Sequence, residues 1–80
     1  MAHFFFRLHD HDADDGRETG RDLPTLEAAI AVATKELQEF LADQARHGYL
    51  DWGMRIEIID ESGRKLAEVN AREAVKPRSD

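Results

Sequence analysis

Eighty residues carrying 17 acidic against 11 basic side chains give a formal net charge of −6, with 41% hydrophobic and 35% charged residues. That length makes one small domain of globular composition. The acidity opposes the counterion release that drives most nucleic-acid binding, and the absence of cysteine excludes disulfides, thiolate zinc sites and thiol catalysis.

Residues 3–9 read as a strand that is apolar on both faces. Side chains alternate along a strand, so Phe4, Phe6 and Leu8 face one way while His3, Phe5, Arg7 and His9 face the other. One helix covers one face of a sheet, which leaves Phe5 in need of a second cover. The phenylalanine run is too short for a signal-peptide core and no transmembrane segment follows, so a cytoplasmic protein without a membrane partner is expected.

A polar loop is expected from Asp10 to about Asp22, with a weak strand signal at Arg17 to Thr19. Six carboxylates (Asp10, Asp12, Asp14, Asp15, Glu18, Asp22) stand there against Arg17 and Arg21, so most of the net charge sits in this stretch. Asp10, Asp12 and Asp14 match the first three ligand positions of a calcium loop. The match then fails, because Asp15 fills the glycine slot and Arg21 stands where the bidentate glutamate belongs. His3, His9 and His11 offer imidazoles to a borderline metal, since histidines two apart on a strand point the same way. The residues that would carry a metal are thus His9, Asp10, His11, Asp12 and Asp14. With the motif only partly met, no metal site and no tight calcium binding are expected.

The helix is the clearest element. Pro24 marks its boundary, Thr25 suits the N-cap, and Glu27 sets negative charge in the first turn, where the helix dipole favours it. Leu26, Ala29, Ile30, Ala33, Leu37, Phe40 and Leu41 recur at the spacing of one buried stripe. Lys35, Glu36, Gln38, Glu39 and Asp43 take the solvent side. His47 and Gly48 end it, glycine being the usual left-handed stop.

Tyr49 to Gly53 is an aromatic-rich connector whose Tyr49 and Trp52 are expected to close the end of the core; a binding surface is the alternative. Met54 to Asp60 alternates, with Met54, Ile56 and Ile58 on one face and Arg55, Glu57 and Ile59 on the other. Asp60-Glu61-Ser62-Gly63 is a turn whose glycine suits a positive-φ position in a bulged hairpin. Arg64 to Asn70 returns as the partner strand, and Ala71 to Val75 reads as a closing helical turn.

The expected architecture is therefore α+β, one domain over residues 1–75 in the order β-(β)-α-β-β. One long helix packs on one face of a three- or four-stranded, mainly antiparallel sheet. Residues 76–80 read as a disordered tail. Catalysis has little to work with: Ser62 sits in a turn and Ser79 in the tail, no carboxylate has apolar flanks, and the five glycines are dispersed. No enzyme activity and no cofactor are expected.

Three stretches carry a family resemblance: His3 to Asp10, Gly20 to Ala29, and Arg55 to Arg64. In order and spacing they resemble the domain-of-unknown-function 6894 family of small, mainly alphaproteobacterial proteins, over nearly the whole chain to about Val75. The resemblance implies no assigned activity and transfers no functional residue. His11 to Asp15 is more acidic than the family pattern. The first strand, the acidic loop and the Leu-Pro, Thr-Leu-Glu-Ala start of the helix are also similar to HicB-type antitoxins, which carry a partly degraded ribonuclease-H-like domain. That likeness stops near Leu41, since the 54–70 hairpin has no counterpart there.

These residues point to a non-enzymatic protein-interaction module whose partner is a protein, a second copy included. The homodimer form would use the sheet face bearing Phe5 and Ile59, with Trp52 as a further interface candidate. The alternative is an antitoxin-like inhibitor that meets a basic toxin through Asp10 to Asp22.

Overall fold

The computed structural model describes residues 2–9 and 14–75. Their order is β1 (Ala2–His9), β2 (Asp14–Leu23), α1 (Leu26–Arg46), β3 (Arg55–Ile59), β4 (Lys65–Asn70) and α2 (Ala71–Ala74). The four strands form one antiparallel sheet in the order β2-β1-β3-β4, with α1 on one face. This is the expected α+β architecture in its four-stranded form. Asp10, His11 and Asp12, and the tail expected at 76–80, lie outside the described residues.

The second strand corrects the sequence reading. Where a polar loop is expected to reach Asp22, β2 runs from Asp14 for ten residues as the hairpin partner of β1. It lacks apolar alternation because it is an edge strand. Its pairing with β1 sets Phe6 opposite Thr19, Arg7 opposite Glu18 and His3 opposite Asp22. Such polar cross-strand pairs hold a strand without a hydrophobic pattern of its own.

Helix α1 begins where the caps dictate. Thr25 is extended and its Oγ1 accepts the backbone N–H of Ala28 at 3.1 Å. The helix stops at His47, followed by Gly48 at φ +89°. Ala29, Ala33, Leu37 and Leu41 are buried against Phe4, Phe6, Met54, Ile56, Ile58 and Val69. Two alanines in this stripe let the helix backbone approach the sheet closely. Leu37 then fills the centre, where truncation to alanine costs roughly 2–5 kcal/mol. Ile30 and Phe40, expected in the same stripe, stay exposed on the helix flanks.

The closing hairpin turns on Asp60. Its Oδ1 accepts the backbone N–H groups of Ser62 (2.9 Å) and Arg64 (3.0 Å) and the Ser62 hydroxyl (2.6 Å). Gly63 takes φ +88°, as the turn requires. Ile58 pairs with Ala67 and Ile59 with Lys65, so Leu66 is the extra residue of a bulge. Asn70 caps α2 by accepting the Glu73 N–H at 2.9 Å, and the Gln38 amide donates to the Ala74 carbonyl at 2.7 Å. Ala71 and Ala74 thereby complete the core.

Candidate functional site

Three surfaces follow from this frame. The first is the sheet face turned away from α1, where register places His3, Phe5, Arg7 and His9 of β1 beside Arg55, Glu57 and Ile59 of β3. Charges dominate it. Glu57 and Glu68 sit directly opposite each other, a repulsive arrangement that Lys65 relieves by reaching both, at 3.3 and 2.9 Å. Arg55 adds a contact to Glu68 at 3.5 Å, and the buried His9 ring is hydrogen-bonded to Glu57. Burial pushes the Glu57 carboxyl up, but the hydrogen bonds and charge that His9 and Lys65 supply outweigh it and hold the group below its ordinary value.

The apolar part of this face is largely used internally. Phe5 lies between Ile59 on one strand and Gly20 on the other, and its ring meets His3 edge-on with centroids 4.8 Å apart. Ile59, expected to be open to a partner, is only 6% exposed. Phe5 itself is half-buried. Two carboxylates of the acidic stretch are also partnered, since Asp22 meets His3 at 2.6 Å and Glu18 meets Arg7 at 3.7 Å.

Of the metal candidates, Asp10, His11 and Asp12 lie outside the described residues. His9 is committed to Glu57, and Asp14 opens β2 opposite His9 in the register. Among the described residues no group of three or more histidine or acidic side chains is placed to hold a metal ion.

The second surface is the connector between α1 and β3, and it reverses the expectation of core closure. Tyr49 is 59% exposed, Leu50 43% and Trp52 44%. They flank a shallow depression shared with Ala45 and Gly48. The backbone beneath them is held. Gln44 accepts the Tyr49 N–H on its carbonyl (3.1 Å) and the Asp51 N–H on its Oε1 (2.8 Å), while Asp51 Oδ1 accepts the Gly53 N–H (2.9 Å). The Arg72 guanidinium lies 5.7 Å from the Trp52 ring centroid and braces its orientation. The connector thus presents three large side chains outward from a fixed base. Exposed aromatics on fixed backbone are the composition and pre-organisation of an interface anchor.

The third surface is a cleft between α1 and β2. The helix covers β1, β3 and β4 but leaves Thr19 and Arg21, on the helix side of β2, exposed. The gap measures about 160 Å³ and is lined by Phe6, Leu8, Thr19, Glu36, Phe40 and Ile56. Nothing in the sequence pattern marked it, because Phe40 fits the buried stripe as well as Leu41 does.

The family model described as Domain of unknown function (DUF6894) matches residues 3–72. No curated protein and no solved structure matches the chain.

Proposed function

The chain belongs to the Domain of unknown function (DUF6894) family, and from that premise we propose that it is a non-enzymatic protein-interaction module that self-associates through Tyr49, Leu50 and Trp52. The observation that carries this reading is the exposure of these three neighbours on a connector pinned by Gln44 and Asp51. An apolar patch is self-complementary across a two-fold axis, as an isologous interface requires. The core also leaves room for such a supplement, because four of its helical positions are alanines (Ala29, Ala33, Ala71, Ala74) and small domains often gain stability by association.

Two features move the reading away from the alternatives. A homodimer on the Phe5 face would find Ile59 already covered and most of the surroundings charged. An antitoxin-like inhibitor would lean on carboxylates of the acidic stretch, of which Glu18 and Asp22 already have partners on β1, Arg7 and His3. The non-enzymatic part is supported by Ser62, whose hydroxyl is spent on Asp60 in a turn.

A photo-crosslinking side chain placed at Leu50 tests the proposal. It is expected to yield a covalent dimer in purified protein, while the same group at the exposed Lys35 yields none. Equal yields at both positions, or none at Leu50, would contradict it.

A further inference from the structure

We propose that the cleft between α1 and β2 docks a basic protein segment that inserts one benzene-sized apolar side chain beside Phe40. This surface is separate from the connector and does not depend on self-association. Its floor is made of Phe6, Leu8 and Ile56, and its wall is Phe40, which stands 41% exposed. An apolar cavity of about 150 Å³ in a protein core holds a benzene molecule. A cleft of about 160 Å³ therefore has room for a Phe or Leu side chain.

Charge identifies the rest of the occupant. Phe40 also walls a shallow shelf whose other lining residues are Glu36, Glu39 and Asp43, spaced along one flank of the helix. Glu36 meets Arg21 at 3.7 Å, and Asp43 meets Arg46 at 3.5 Å and His47 at 3.9 Å. These are long, exposed contacts worth little to the fold, so a partner's cations can replace them cheaply. Among the described residues Glu39 pairs with no cation. An apolar slot edged by three carboxylates is complementary to a large side chain flanked by Lys or Arg. A second copy of this chain, at −6, is a poor occupant for the same reason.

The test is an amide chemical-shift titration of the full-length protein with three short synthetic peptides. One has a single Phe among lysines and arginines, one replaces that Phe by Ala, and one replaces the cations by Glu. The first is expected to shift Leu8, Thr19, Glu36 and Phe40 saturably, and the Ala peptide to bind at least about ten-fold more weakly. The Glu peptide is expected not to bind. Phe40→Ala should weaken the first peptide by a similar factor while leaving the amide spectrum folded, and Glu39→Lys should weaken it through charge alone. Absence of saturable shifts, equal affinity for the Phe and Ala peptides, or no effect of either substitution would overturn the inference. So would shifts centred on Tyr49 to Trp52, an outcome that leaves the self-association of the connector standing.

Discussion

Phe5 faces Gly20 across the β1–β2 ladder, and the rings of Phe5 and His3 occupy the space a side chain at position 20 would fill. A Cβ there would stand 2.7 Å from His3 Nε2 and 3.2 Å from Phe5 Cε1. The glycine is thus a packing partner of Phe5, and it explains how one aromatic on the open sheet face finds cover within a single chain.

Gly20→Ala is therefore expected to destabilise the protein by about 1 kcal/mol, the low end for adding a methyl where none fits. In a His3→Ala background the cost should shrink toward zero, because the shortest contact is gone, only the 3.2 Å approach to Phe5 remains, and the unfolded chain loses entropy. Urea denaturation of the four-member cycle checks this. An equal cost in both backgrounds would show that the His3 ring is not what excludes a side chain.

Phe5→Ala should cost about 1–2 kcal/mol, less than a fully buried phenylalanine, and should leave the association state unchanged. Denaturation paired with light scattering separates the two effects. Loss of a dimer on this substitution would return the interface to the sheet face.

Gln44→Ala removes the acceptor of the Asp51 N–H at 2.8 Å without touching the exposed side chains above it. The expected cost to folding is about 1 kcal/mol. Self-association should weaken several-fold as the connector loses its base, with a shift in Trp52 fluorescence as the accompanying sign.

Acid should destabilise the fold through Glu57. Its folded pKa lies below the unfolded one, so its contribution is fully present above the unfolded value, near 4.3. That contribution is lost as pH falls toward the folded value. Asp60 acts in the same direction because the Ser62 hydroxyl and the Arg64 N–H stabilise its charged form. Urea midpoints between neutral and strongly acidic pH should therefore fall on acidification, and Glu57→Gln should flatten part of that fall. A slope unchanged by Glu57→Gln would remove the His9–Glu57–Lys65 cluster as its source.

The sequence disclosed the elements that bury apolar stripes and missed those that rest on cross-strand partners. Thr25, Gly48 and Gly63 announced the helix ends and the hairpin because caps and positive-φ turns act locally. β2 was hidden because its pairing lies in Arg7 with Glu18 and His3 with Asp22, matches visible only once two strands are aligned. Phe40 obeys helical periodicity, yet the helix leaves Thr19 of β2 uncovered beside it, which periodicity along one helix does not report. Residue type alone puts Tyr49 and Trp52 in the core, whereas Gln44 holds the connector backbone and the side chains stand outward. Of the three interface residues named from sequence, Trp52 is the most exposed, Phe5 is half-buried and Ile59 is covered.

Sedimentation equilibrium from low to high micromolar concentration tests the central claim most directly. The account predicts a reversible monomer–dimer equilibrium for the native chain and a strict monomer for Trp52→Ala with its helix content intact. A native chain that remains monomeric throughout, or a Trp52→Ala variant that dimerises as well as the native chain, would contradict it.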